Sequence, residues 1–248
     1  AKARLQLIVS YKFKSHLKSG ITCRFFYFMQ KYTIIIPVYN EIGSLPILLD
    51  ALRVYSIERH EIIIIDDGSV DGSDKILSNI NFIKYIKIIK NSGKGYAIKK
   101  GIKNASNDKI VIFDGDLELH PNQLRKLMIL DSTKNIHCVL ANRFPSVKVK
   151  SLWDVGNSLL TKLFNFLHRS TVKDALCCAK SFYKYDLDNK ALKSSKFDID
   201  VEILSILIKK FPKASNIDIK YHRRKMNEGK KLRLRDSLQI FARILISL

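Results

Sequence analysis

Five apolar, β-branched runs leave little choice of fold: residues 33–38, 61–65, 85–89, 109–113 and 136–141. None alternates polar with apolar side chains, so each reads as a strand buried on both faces. Between them lie segments of helical length, near residues 44–55, 71–79, 94–105 and 122–130. Strand and helix in this alternation predict a mostly parallel α/β sheet with helices on both faces. After Ala141 the rhythm changes. A helix is expected over 152–168, a strand or two near 179–185, and a helix from about 198 to 210. A strand at 217–221 and an amphipathic helix from Asp236 follow. The 248 residues suit one large domain with extensions. Met29-Gln30-Lys31-Tyr32 reads as a start, which makes 1–30 a basic extension, 31–222 the core domain and 223–248 a basic segment ending in an apolar helix.

Each strand end in the first half carries polar residues. The first gives Pro37-Val38-Tyr39-Asn40-Glu41 and the second Asp66-Asp67-Gly68-Ser69. The third gives Gly93-Lys94-Gly95, the fourth Asp114-Gly115-Asp116-Leu117-Glu118, and the fifth Asn142-Arg143-Phe144. In an open parallel sheet these ends line one crevice, where ligands bind. Carboxylates there can hold ribose hydroxyls, base edges or a metal, while backbone amides and Lys94 at a helix start can hold phosphate. In an extended segment, Asp114, Asp116 and Glu118 would point to one side and converge on a hard cation. Mg²⁺ or Mn²⁺, held by carboxylates together with substrate phosphates, fits that donor set. Other readings fail on detail. Asp67, Ser69, Asp71 and Gly72 begin like a Ca²⁺ loop, but its twelfth position is Ser78. Gly93 and Gly95 lack the third glycine of a dinucleotide fingerprint.

The net charge of +21 predicts an anionic partner: nucleic acid, phosphorylated substrate or acidic membrane surface. The basic excess lies at the two ends. Residues 1–28 hold six Lys or Arg and no acid, and residues 220–235 hold eight against Glu228 alone. The carboxylate crevice between them would repel a nucleic-acid backbone, so no nucleic acid is expected. No apolar run reaches the roughly 18–20 residues of a membrane-spanning helix, yet the helix after Asp236 could lie in a membrane interface. Cys23, Cys138, Cys177 and Cys178 show no zinc or redox spacing, which points to a reduced, cytoplasmic compartment.

Pro37-x-Tyr39-Asn40-Glu41, Ile65-Asp66-Asp67-Gly68-Ser69, Gly93-Lys94-Gly95, Asp114-x-Asp116 and Arg143, in order at successive strand ends, resemble the family-2 glycosyltransferases of the GT-A, Rossmann-like fold. The second half resembles their polyprenyl-phosphate branch, the dolichyl-phosphate mannose or glucose synthases. Its cues are Asp174-x-x-Cys177-x-x-Lys180, Phe197-Asp198-x-Asp200-Val201-Glu202, and Arg224 with Glu228-Gly229-Lys230-Lys231. The resemblance implies inverting, metal-dependent transfer of a hexose from a GDP- or UDP-linked donor to a dolichyl or undecaprenyl phosphate. It places the protein peripherally on the inner face of the membrane, with room for a membrane-embedded partner subunit. Pro37, Tyr39, Glu41, Asp66, Asp67, Lys94, Gly95, Asp114 and Gly115 would then hold the nucleotide-sugar. Asp116 and Glu118, with Asp114, would hold Mg²⁺ or Mn²⁺. Asp114, Asp116 and Arg143 would be catalytic, and Arg143, Arg224, Lys230 and Lys231 would bind the acceptor phosphate. A phosphate monoester, with its second pKa near 6, needs no base. A second reading, transfer to a hydroxyl of a cell-surface glycan, does need one, for which Asp198, Asp200 and Glu202 are candidates.

Overall fold

The computed structural model describes residues 31–144, 152–224, 229, 231 and 234–247. The expected extension over 1–30 and Lys230 lie outside the described residues. Seven strands form one sheet: β1 (Tyr32–Val38), β2 (Glu61–Asp66), β3 (Lys84–Lys87), β4 (Lys109–Ile112), β5 (Cys138–Asn142), β6 (Lys180–Tyr183) and β7 (Ser215–Asp218). Their order is β3-β2-β1-β4-β6-β5-β7. The pairs β1–β2, β1–β4, β2–β3 and β5–β7 are parallel, as expected. Strand β6 runs antiparallel between β4 and β5. Hydrophobicity marks a strand but not its direction, which the connecting chain sets. The consequence is local and large. Register pairs Ile112 with Lys180, so the first residue of β6 lies at the C-terminal end of β4, beneath the crevice.

The helices are α1 (Leu45–Ile57), α2 (Ser73–Leu77), α3 (Lys94–Asn104), α4 (Leu124–Leu127), α5 (Leu152–His168), α6 (Ile199–Lys210) and α7 (Leu234–Ile246). Alternate strand residues feed two cores. Ile34 and Ile36 of β1 pack with Leu45, Leu48 and Leu52 of α1 on one face. Ile35 packs with Ile98 of α3, Phe164 of α5, Leu204 of α6 and Ile240 of α7 on the other. This two-sided burial is why the strands carry no polar alternation. The helix expected over 122–130 is cut short: a 3₁₀ turn at Pro121–Gln123 leads into α4, which stops at Leu127. Asp131 and Ile136 then exchange backbone hydrogen bonds in a tight hairpin that helical geometry could not provide.

Helix α7 is not a separate appendage. Ile240 and Ile244 are buried in the core. Leu238, Phe241, Leu245 and Ile246 face outward, as do Val155, Leu159 and Phe166 of the neighbouring α5. No helix among the described residues is long and apolar enough to cross a membrane.

Candidate active site

The strand ends open into one cleft of about 640 Å³. At its β1–β2 end, Pro37, Tyr39, Asp67, Asn91 and Gly93 form the wall. Adjacent residues of an extended chain point opposite ways, and this separates Asp67 from Asp66. Asp67 lines the cleft; its carboxylate accepts the Ser92 and Gly93 N–H groups at 2.8 and 2.7 Å. Burial nevertheless pushes its carboxyl above the usual range. Asp66 is wholly buried and accepts the Ser69 N–H at 2.8 Å and the Tyr85 hydroxyl at 3.1 Å. It holds the turn and does not line the cleft. Gly95 does not line it either. A Cβ there would stand 2.8 Å from the Ser194 carbonyl oxygen, so this glycine admits the 194–196 backbone against α3. Gly115 stays in the wall, where a Cβ would stand 2.7 Å from Val38 Cγ1.

Glu41 is 5% exposed and carries two cations from the far end of the chain. Arg224 Nη1 reaches its two oxygens at 3.0 and 2.9 Å, and Lys231 Nζ reaches Oε1. Lys231 also sits 5.9 Å above the Tyr39 ring. Arg224 and Lys231, expected with Arg143 and Lys230 on an acceptor phosphate, are thus both held on Glu41.

Beyond Phe113 the chain turns instead of continuing as a strand, and Leu117 takes a left-handed φ of 62°. The expected convergence of three acids from an extended segment does not occur. Asp114 turns to Lys94 at 2.9 Å. Glu118 accepts the Tyr221 hydroxyl at 3.1 Å and the Arg224 N–H at 2.9 Å. Asp116 accepts the Glu118 N–H at 3.0 Å. Among the described residues no three carboxylate, imidazole or thiol side chains cluster tightly enough to hold a metal alone. Asp116 still suits a hard cation. Burial, with the charges of Asp114, Glu118 and Glu41, pushes its carboxyl up to about 7. A carboxylate in so negative a field fits a cation that takes only one or two protein ligands and completes its shell with phosphate oxygens and water, as Mg²⁺ does.

At the opposite end Leu176, Cys178, Phe197 and Asp200 form the wall, with Asn157 of α5 and Ile240 of α7 beside them. Lys94 Nζ bridges Asp114 and Asp200, the latter at 3.0 Å. Burial alone would lower its pKa; the two carboxylates outweigh that and hold it well above the ordinary lysine value. Arg143 forms a two-pronged pair with Asp174, Nε to Oδ2 at 2.7 Å and Nη2 to Oδ1 at 3.0 Å. Its guanidinium lies 5.4 Å over the Tyr221 ring. Asp174 and Lys180 were visible in the sequence only as family cues. A lone acid before Ala175 and a lone lysine heading an apolar strand are the signals that could have marked them, because buried charges demand partners.

The Glycosyl transferase family 2 model matches residues 33–189. The chain belongs to that family. It is 32% identical over 146 residues to undecaprenyl-phosphate 4-deoxy-4-formamido-L-arabinose transferase of Photorhabdus laumondii, covering 54% of this chain and 44% of that protein. The same-named protein of Yersinia pestis is 36% identical over 144 residues, with the same coverage of 54% and 44%. The chain thus spans less than half the length of these curated relatives. Glucosyl-3-phosphoglycerate synthase of Mycobacterium tuberculosis, solved with Mn²⁺, UDP and phosphoglyceric acid, superimposes with a TM-score of 0.66 at 17% identity, covering 88% of this chain and 78% of that one. Its complex with phosphoglyceric acid gives 0.67 at 17% identity, covering 88% and 80%. At such identity the likeness establishes the fold, GT-A. In this family-2 chain the matched region ends at residue 189. It therefore contains Asp67, Lys94, Asp116, Arg143 and Lys180, whereas Asp200 and Lys231 reach the cleft from beyond it and Arg224 pairs there with Glu41.

Proposed function

We propose that this chain transfers a sugar from a nucleoside-diphosphate donor to a polyprenyl phosphate at a membrane surface, with inversion at the anomeric carbon. The observation that carries the acceptor class is the fate of the three acids a hydroxyl acceptor would need. Asp198 Oδ2 accepts the Ser194 hydroxyl at 2.7 Å and Arg243 Nε at 3.0 Å. Glu202 accepts the Lys193 and Ser194 N–H groups at 3.0 and 2.8 Å, and Arg243 Nη1 at 3.1 Å. Asp200 alone lines the cleft. Burial would raise its carboxyl, but Lys94 and Lys180 outweigh that and hold it below the usual range. A carboxylate bound by two ammonium groups is a poor proton acceptor. A phosphate monoester is already ionised and requires none.

The chain's own residues then position and neutralise. Asp67, Tyr39 and Asn91 surround the nucleoside, while Arg224 and Lys231, held nearby on Glu41, offer cations to the diphosphate. Arg143 offers its remaining N–H edge to the acceptor phosphate. A phosphate oxygen of the acceptor attacks the anomeric carbon as the bond to the diphosphate breaks on the opposite face, releasing the nucleoside diphosphate. Mg²⁺ or Mn²⁺ at Asp116, with Asp114 or Glu118, would neutralise charge on that leaving group.

The lipid part of the reading rests on α5 and α7. Asn157 and Ile240 line the cleft, while Val155, Leu159, Leu238, Phe241 and Leu245 of the same two helices face outward. A cleft that opens between two outward apolar stripes suits an acceptor arriving from a lipid surface. Buried free thiols at Cys138, Cys177 and Cys178 suit the reducing, inner side of that membrane.

The decisive assay supplies labelled UDP- and GDP-sugars, divalent metal and undecaprenyl or dolichyl phosphate, and follows label into organic solvent. Label entering only water-soluble phosphates or glycans would overturn the acceptor. A companion measurement isolates the membrane. Leu238 is 73% exposed, and Leu238→Asp should weaken sedimentation with anionic liposomes about tenfold, the scale of one large apolar side chain leaving lipid. Turnover of a short-chain acceptor in detergent should hold. Unchanged sedimentation would remove α7 from the membrane contact.

A further inference from the structure

Lys180 has no part in donor binding or transfer as described so far. It is 1% exposed and does not line the cleft. Burying an ammonium group is costly, and such groups persist where they are paired. Lys180 Nζ donates to the Cys177 carbonyl at 2.8 Å and to Asp200 Oδ1 at 3.3 Å. The other Asp200 oxygen accepts Lys94 Nζ at 3.0 Å, and Lys94 continues to Asp114 at 2.9 Å. Lys180, Asp200, Lys94 and Asp114 therefore form a chain of alternating charge, two of each sign, rising from beneath β4 into the cleft wall.

With the nucleoside against Asp67 and the diphosphate at Asp116, the transferred sugar falls on the side of Asp200, Phe197 and Cys178. Lys94 is 5.8 Å above the Phe197 ring. Its Nζ meets both Asp114 oxygens, at 2.9 and 3.2 Å, and Asp200 Oδ2 at 3.0 Å, which fixes the ammonium in the wall. Each Asp200 oxygen keeps a further lone pair. That wall offers one fixed donor, fixed acceptors and an apolar ring face, which matches a sugar's hydroxyls and its C–H face.

We propose that Lys180 is a positioning residue for the transferred sugar: acting through Asp200, it fixes the Lys94 ammonium so that Lys94 and Asp200 read the sugar's hydroxyl groups. Without Lys180, Asp200 keeps one cation, and Lys94 is free to swing toward Asp114. The contacts assigned to the nucleoside at Tyr39, Asp67 and Asn91, and to the diphosphate at Arg224 and Lys231, lie elsewhere.

This inference rests on the transfer reading above, and calorimetry separates the two. Wild type and Lys180→Met are titrated, in Mg²⁺, with UDP, with GDP, and with the nucleotide-sugar that the transfer assay selects. Lys180→Met is expected to bind the matching nucleoside diphosphate within twofold of wild type and to lose about tenfold or more on the nucleotide-sugar. Asp200→Asn should show the same split, and the double variant should lose no more than Asp200→Asn alone. Equal losses on both ligands would make Lys180 a support of the fold, and no loss on either would make its charge idle; both outcomes overturn the proposal. If Lys180→Met fails to fold, Lys180→Gln, which keeps a donor for the Cys177 carbonyl but removes the charge, carries the same comparison. A wild type that binds neither UDP nor GDP would instead remove the transfer reading itself.

Discussion

Replacing Asp116 with asparagine is expected to lower kcat/KM by about 10²–10³-fold or more and, at the same time, to stabilise the metal-free protein. On the proposed reading, the catalytic loss follows from removing a charged ligand of the cation that would offset leaving-group charge. The stabilisation follows from its carboxyl standing near 7, above the roughly 4 of an unfolded aspartate. Ionising it in the folded state therefore costs nothing below pH 4 and is fully felt above pH 7. Each pKa unit is about 1.4 kcal/mol. Partial exposure reduces the sum to the order of 1–2 kcal/mol, or about 2–8 °C in melting temperature for a domain of this size. Melting scans at pH 8 and pH 5 with and without Mn²⁺ check this. The variant should melt higher than wild type at pH 8 without metal, the gap should narrow at pH 5, and Mn²⁺ should raise wild type far more than the variant. Full wild-type turnover in excess EDTA, or an unchanged melting temperature at pH 8, would contradict it.

The second large effect is expected at Arg143. Alanine there would strand the buried Asp174 carboxylate, a loss of about 3–5 kcal/mol that confounds kinetics. Lysine is the informative change. It keeps the charge but cannot pair with both Asp174 oxygens and still present an edge to the cleft. Arg143→Lys should lower acceptor kcat/KM about a hundredfold and leave donor nucleotide affinity within about twofold, by initial rates and calorimetry. Normal acceptor kinetics would reduce Arg143 to a structural partner of Asp174.

The strand ends were legible because buried strands announce themselves as apolar runs, and the polar residues that follow must line the crevice. Pro37, Tyr39, Glu41, Asp67, Lys94, Asp114, Gly115, Asp116, Glu118 and Arg143 all reach the cleft for that reason. Three things were not legible. The alternation that sends Asp67 to the cleft sends Asp66 inward, and two adjacent acids look alike until the strand's last residue is known. The spacing of Asp114, Asp116 and Glu118 suggested a shared side, but the left-handed turn at Leu117 disperses them. The direction of β6, which puts Lys180 under the cleft, depends on a crossover that leaves no mark in local hydrophobicity.

The pairing of Glu41 with Arg224 and Lys231 spans 183 and 190 residues, and it imposes an order on the birth of the site. A ribosome releases Glu41, Asp114, Asp116 and Glu118 long before the cations that balance Glu41. In that interval Glu41, 5% exposed in the finished fold, has neither of the two cations that balance it. Closing a loop of this length is slow compared with pairing neighbouring strands. The first strands are therefore laid down early and the Glu41 pairing late, so the β1 end of the cleft is complete only once the segment after residue 220 has docked.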